Sequence, residues 1–203
     1  MFRLYRLVIT AFLVVLLFTY WQARGPGNFL WFSDIGMILV VIAAWSRQAI
    51  LNSMSAVGLL FFEMVWNLDF FVRFLSGFHI LGMGATAYMF SESIPLYIRG
   101  LSLALHILLP VSILYLLSML GYDRRAILYQ SILVWLVLIY CYFFSDPERN
   151  INWVFGIGKQ QELVHPLLYL AIEMAAIPLF FIWPTHWLLQ KYVRLANGKS
   201  HRK

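Results

Sequence analysis

The chain has 203 residues, of which 62% are hydrophobic and only 12% are charged. Soluble domains average about 45–50% apolar and about 25% charged residues, so a soluble globular protein is excluded. The composition predicts an all-α fold, a polytopic membrane helix bundle of about six transmembrane helices. The net charge of +6 is spread over loops and the C-terminal tail, which favours orientation in a membrane and no binding of nucleic acid.

Apolar segments follow one another along the chain, and a helix needs about 20 residues to cross the hydrocarbon core. No cleavage site of small residues follows the first segment, so we expect an uncleaved span and not a signal peptide. The turn Arg24-Gly-Pro-Gly27 ends it, and Asn28 is a candidate N-cap for the second span. Pro110 is expected to kink the fourth span. The predicted spans are residues 7–22, 28–45, 50–71, 96–120, 126–145 and 166–190.

Other segments differ from these spans in length or polarity. Residues 78–90 are apolar but short and rich in glycine, so we predict a re-entrant or interfacial segment. Residues 146–164 form the most polar loop, in which Asp-Pro-Glu from Asp146 predicts a capped helix start. Residues 1–190 are thus expected to form the bundle, and residues 191–203 a basic cytoplasmic tail.

Basic residues indicate the orientation in the membrane. If both termini lie on one side, ten Lys and Arg residues share that side and five lie on the other. Positive charge favours the cytoplasm, so we predict that both termini are cytoplasmic. Only one acid, Asp123, then lies on the cytoplasmic side, and polar chemistry is expected in the outer half of the bilayer.

The third span is interrupted by an acid, an amide, a second acid and an arginine. On a helix, Glu63 and Asn67 share one face. Asp69 and Arg73 share the adjoining face, where a structural ion pair is one interpretation. Ionisable groups at membrane depth usually face a bundle interior or a water-filled cavity, because exposure to lipid is costly. The stretch therefore predicts one wall of a polar pocket.

Other spans bring polar groups to a similar depth. Arg99, Ser102 and His106 share one face of the fourth span. Asp34 lies on the second span and Glu173 on the sixth. We predict as catalytic residues His106, Glu63, Asp34 and Glu173, and as substrate-binding residues Asn67, Arg73, Arg99, Ser102, Asn150, Asn152 and Trp153.

The residue types suggest the chemistry. His106 is a candidate general base or metal ligand, the carboxylates are candidate acids or ligands, and the arginines suit a phosphate or carboxylate. Structural interpretations also remain open. Arg99 can extend to lipid headgroups instead of binding a substrate, and Cys141 is a typical small packing residue and not a nucleophile. The outer loop with Asn150, Asn152 and Trp153 is either a lid over the pocket or an interfacial hairpin. The sequence leaves any metal and any cofactor unknown.

Five motifs together resemble those of an uncharacterised group of bacterial membrane-associated proteins: Asn28-Phe-Leu-Trp-Phe-Ser-Asp34, Glu63-x-x-Trp-Asn-x-Asp69, Gly121-Tyr-Asp-Arg-Arg-Ala126, Asp146-Pro-x-x-Asn-Ile-Asn-Trp-Val-Phe-Gly156 and Pro184-Thr-His186. This resemblance implies a six-span protein of the bacterial inner (plasma) membrane and no particular activity. The regions 106–110 and 152–155 show a fainter similarity to YwaF-like integral membrane proteins, a group with acyltransferase-like relatives. The cysteine motif of that group is absent, so acyl transfer through Cys141 is not implied.

Three functions remain open on the sequence alone. The first is a membrane-embedded enzyme, of hydrolase or acyl-transfer type, that acts on a lipid or another apolar substrate. The second is a transporter or receptor for a small solute, and the third is a non-catalytic scaffold or assembly protein. Polar groups stop halfway across the predicted spans and no inverted repeat is visible, which favours an enzyme over a carrier. Membrane lipids are the expected partners.

Overall fold

The computed structural model of the chain describes residues 1–78 and 84–200, with side chains described through Tyr192. All regular structure in this part of the chain is helical, which confirms the all-α prediction. The α-helices are α1 (Phe2–Arg24), α2 (Phe32–Ser46), α3 (Ala49–Ser76), α4 (Leu96–Leu120), α5 (Ala126–Phe144), α6 (Pro166–Ile177) and α7 (Trp183–Ser200). Short 3-10 helices are Pro26–Leu30, Ala87–Phe90, Pro147–Arg149 and Ile151–Trp153.

Five of the described helical segments are long and apolar enough to cross a membrane. They are α1, α3, α4, α5 and a 27-residue segment, Pro166–Tyr192, in which the π-helical stretch Pro178–Ile182 joins α6 to α7. This pattern suits a multi-pass integral membrane protein. The second predicted span corresponds to α2, which has only 15 residues.

Helix α2 begins later than the sequence suggests. Asn28 lies in the 3-10 helix Pro26–Leu30, and the helix starts at Phe32 after the extended residue Trp31. The prediction that Asn28 is the N-cap is therefore wrong, because the 3-10 turn separates this residue from the helix. The Asn28 side chain is buried and donates instead to Asp34 Oδ2 at 3.4 Å.

Helix α3 lies at the centre of the bundle. It packs against α2, α4, α5 and α7. One buried apolar cluster joins α1 to α4 and includes Leu16 and Leu109, and a second joins α3 to α5 and α6 and includes Val57 and Leu138. The Leu59 side chain packs directly on the backbone of Gly36, where an added Cβ would lie 2.0 Å from Leu59 Cδ1. The polar side chains of α3 are thus enclosed by its neighbours.

The Gly36 contact predicts a clear effect of substitution. Gly36→Val is expected to lower the free energy of unfolding by about 1–3 kcal/mol, because the added methyl groups must displace Leu59. Gly100→Ala is the matched control, since nothing lies within 4 Å of its added Cβ. This change is expected to be neutral or stabilising by up to about 1 kcal/mol, as for glycine in a helix interior. Thermal unfolding in detergent micelles measures both, and equal effects would contradict the packing.

Pro110 and Pro178 lie inside helical segments, and each removes the N–H that would bond the carbonyl four residues earlier. For Pro110 this is the carbonyl of His106, which accepts from Asn67 Nδ2 at 2.6 Å. For Pro178 it is the carbonyl of Met174, which accepts from Trp135 Nε1 at 2.7 Å. Side chains of neighbouring helices therefore replace both missing hydrogen bonds. Helix α4 continues through the proline to Leu120.

The remaining segments pack onto the ends of the bundle. Residues 79–83, in the segment predicted to be re-entrant, lie outside the described residues. After them, Met89 packs against Trp66 and Phe70 of α3. The predicted cap at Asp146 is confirmed, because its Oδ1 accepts from the Glu148 N–H at 3.0 Å. Helix α7 extends through Ser200, ten residues beyond the predicted end of the bundle.

Candidate functional site

A glutamate and a histidine meet where α3 packs on α4. Glu63 Oε2 lies 2.7 Å from His106 Nδ1, and the side chains are 3% and 12% exposed. When the Glu63 carboxylate is ionised it can only accept, so Nδ1 is then the donor and Nε2 the remaining acceptor. No group in the described part of the chain bonds the other ring nitrogen, Nε2. The pair therefore presents a basic nitrogen in a largely buried place.

Two further residues of α3 contact this pair. Trp66 stacks on the imidazole of His106, with ring centroids 3.9 Å apart and planes inclined by 15°. Asn67 Nδ2 donates to the Glu63 carbonyl at 2.8 Å and to the His106 carbonyl at 2.6 Å. Because both partners are acceptors, the orientation of the Asn67 amide follows from its contacts.

Hydroxyl groups lie one helical turn away. Ser102 precedes His106 by four residues on α4, and its Oγ lies 2.6 Å from the Tyr88 hydroxyl. Burial raises the pKa of the Tyr88 phenol, although the Ser102 contact lowers it, so the phenol keeps its proton. Arg99, one turn before Ser102, donates through Nη1 to the Met89 carbonyl at 3.2 Å. Its Nε is buried and has no hydrogen-bond partner among the described residues.

Asp34 lies in the first turn of α2 and is 2% exposed. Its Oδ2 accepts the long hydrogen bond from Asn28, whereas Oδ1 has no partner in the described structure. Glu63 and Arg24 are its electrostatic neighbours. The first turn of α2 thus brings a second buried carboxylate near Glu63.

Glu173 lies elsewhere in the bundle. Helix α6 packs on α5, so the electrostatic neighbours of Glu173 are Tyr169 and Cys141. Its Oε2 is buried without a hydrogen-bond partner among the described residues. The structure therefore groups Asp34, Glu63 and His106 and leaves Glu173 in a separate position.

Asparagines of the outer loop bond the main chain. Asn152 Nδ2 donates to the Leu30 carbonyl at 2.7 Å, and its Oδ1 accepts from the Phe32 N–H at 3.1 Å. Asn152 therefore caps α2 from a position 120 residues away in the sequence. Asn150 donates to the Gly156 carbonyl and accepts from the Phe155 N–H. These contacts account for the burial of both amides without a ligand.

The other predicted binding residues lie at the edges of the site. Trp153 belongs to the same loop and has a left-handed backbone, with φ 66°. Arg73 lies near the end of α3, with its guanidinium 4.6 Å from the centroid of the Phe90 ring. Asp69 accepts from Thr86 Oγ1 at 2.6 Å. The ion pair between Asp69 and Arg73 stays a prediction.

The sequence analysis did not identify two aromatic residues, Trp66 and Tyr88, near the Glu63–His106 pair. It also left unknown whether the site binds a metal. Trp66 could have been predicted, because it lies one turn after Glu63 and shares its face. Tyr88 could not have been predicted, because it reaches Ser102 only through the fold of the segment before α4. Among the described residues, no group of three or more His, Cys, Asp and Glu could hold a metal ion.

Comparison of the chain with protein-family models, with curated proteins and with solved structures found no match. The resemblance to an uncharacterised bacterial membrane family, and the fainter one to YwaF-like proteins, therefore stay predictions.

Proposed function

We propose that the chain is an integral membrane enzyme whose Glu63–His106 pair acts as a general base on a lipid or another apolar substrate. The observation behind this proposal is the 2.7 Å hydrogen bond at Nδ1, together with an Nε2 that no described group binds. A carboxylate that fixes one imidazole nitrogen and leaves the other as a base is a recurrent arrangement in enzymes.

Six crossings with both termini in the cytoplasm belong to this proposal. Helix α2 spans ~22 Å at 1.5 Å per residue. The five-residue 3-10 helix before it adds ~10 Å. Together they approach the ~30 Å hydrocarbon core of a bilayer, which supports a sixth crossing. The distribution of Lys and Arg supports the orientation, and the resemblance to bacterial proteins supports an inner (plasma) membrane.

The depth of the pair supports an apolar substrate. Glu63 lies ~21 Å from the start of α3 and ~20 Å from its end at 1.5 Å per residue, near the middle of the helix and thus deeper than the outer-half position that the sequence predicts. A water-soluble substrate would have to enter the hydrocarbon region to reach it, whereas a lipid is already there. Membrane lipids are therefore the proposed substrates and partners.

The proposed chemistry uses few side chains. His106 Nε2 removes a proton from a water or alcohol as its oxygen attacks an ester carbon, and Glu63 stabilises the imidazolium. The ester bond then breaks, and the leaving oxygen takes the proton back from His106. Arg99 and Ser102 are the proposed contacts for the polar end of the substrate, because they lie within two turns of His106. Asp34 is the proposed second acid of the site.

The test compares membrane lipids by mass spectrometry in cells that express the wild type or a variant. His106→Gln and Glu63→Gln are expected to remove a change in lipid composition that the wild type produces. His165→Asn is the control, since His165 is exposed and only caps α6. Identical lipids in all four strains, with all proteins present in the membrane, would contradict the enzyme and favour a scaffold. Solute flux in proteoliposomes that depends on Glu63 would favour a transporter.

A further inference from the structure

We propose that Asn67 is a positioning residue for the Glu63–His106 pair, and that Pro110 is the reason the pair needs one. A substrate-binding role was expected for Asn67 from its place on the helix face. Its contacts point elsewhere, because the two hydrogens of one amide bond the main-chain carbonyls of both members of the pair.

Pro110 makes one of these two contacts necessary. In an uninterrupted helix the carbonyl of His106 would accept from the N–H of residue 110, and proline has none. A carbonyl left without a partner inside an apolar bundle is costly, because no water is there to bond it. The 2.6 Å hydrogen bond from Asn67 supplies the missing donor from the adjacent helix.

The same contact fixes the distance between the reacting side chains. Only two side-chain torsions separate the His106 main chain from its imidazole ring. The ring is held between the Glu63 carboxylate at 2.7 Å and the face of Trp66. Movement of α4 by a few tenths of an ångström relative to α3 therefore changes the hydrogen bond at Nδ1. Asn67 sets this register, and through it the nitrogen that carries the proton.

This inference rests on the proposed function only for the catalytic role of the Glu63–His106 pair. Its test therefore measures the tautomer of the His106 imidazole directly. Histidine is labelled with ¹⁵N in the full chain in micelles, and the His106 resonances are assigned with His106→Gln. The wild type is expected to show one tautomer, with the proton on Nδ1. Asn67→Leu is expected to populate the second tautomer, with the proton on Nε2. Asn67→Leu combined with Pro110→Ala is expected to return to the wild-type spectrum, because the alanine supplies an N–H that again bonds the His106 carbonyl.

Trp135→Phe is the matched control, since it removes the equivalent hydrogen bond at Met174 and does not touch His106. It is expected to leave the His106 resonances unchanged. A wild-type spectrum in Asn67→Leu would overturn the proposal, and so would a changed spectrum that Pro110→Ala does not restore. If Asn67→Leu fails to accumulate in the membrane, recovery of the protein by Pro110→Ala is the readout, and failure to recover overturns the proposal. Unchanged membrane lipids together with a restored spectrum would contradict the proposed enzyme alone.

Discussion

Glu63→Ala is expected to lower the free energy of unfolding by about 1–3 kcal/mol, the typical cost of leaving a buried hydrogen-bond donor without its partner. The carboxylate is 3% exposed, and the change leaves His106 Nδ1 without its partner between two packed helices. Unfolding in detergent micelles, followed by circular dichroism, measures the loss. Glu92→Ala is the control, because Glu92 is an exposed acid in the segment before α4.

A double substitution distinguishes the pair from general damage to the core. Glu63→Leu combined with His106→Phe is expected to recover most of the stability that Glu63→Leu alone loses, since no polar group is then left unpaired. The summed losses of unfolding free energy in the two single variants should therefore exceed the loss in the double variant by more than about 1 kcal/mol. Additive effects would show that the two side chains do not interact.

Asn152→Leu is expected to destabilise the protein by up to about 2–6 kcal/mol, because it leaves two partly buried main-chain groups without partners, at up to about 1–3 kcal/mol each. These are the Leu30 carbonyl and the Phe32 N–H at the start of α2. The outer loop should also become susceptible to protease, since the contact joins it to the bundle. Limited proteolysis and thermal unfolding measure the two effects.

Asn152→Asp separates the two hydrogen bonds. A carboxylate still accepts from the Phe32 N–H but cannot donate to the Leu30 carbonyl, so about half of the loss is expected. Asp is also a favourable cap at a helix N-terminus. Equal losses in the two variants would show that the cap of α2 contributes nothing.

Hydropathy predicts most helices of the bundle because lipid-facing surfaces require long apolar segments. The ends of α4 at Leu96 and Leu120 agree with the sequence prediction. The start of α2 did not follow from the sequence, because its cap is Asn152 and local rules search only neighbouring residues. A hydrogen bond across 120 residues depends on tertiary packing, which a single sequence does not contain.

The candidate site could be predicted only in part from the sequence, for similar reasons. The cost of a buried acid indicates that Glu63 must find a partner, and the structure supplies His106. The spacing rule indicates that Pro110 leaves the His106 carbonyl unbonded, but it does not identify Asn67 as the donor. Glu173 illustrates the limit. It lies at a suitable depth on its own helix, yet α6 packs on α5, away from α4.

The central claim is that His106 offers an available base inside the membrane, and chemical modification tests it most directly. Diethyl pyrocarbonate acylates neutral imidazole nitrogens that it can reach, and mass spectrometry locates the product. Two other histidines are internal standards. His165 is exposed, whereas His186 is 7% exposed and bonds Tyr122 and Gln190 through its two ring nitrogens.

In intact membranes we expect His106 and His165 to be acylated and His186 to be protected. His106→Gln should remove the modified peptide that carries residue 106 and leave the modified His165 peptide unchanged. The contradicting result is an unmodified His106, protected as fully as His186 while His165 reacts, which would make the Glu63–His106 contact a structural pair with no base to offer.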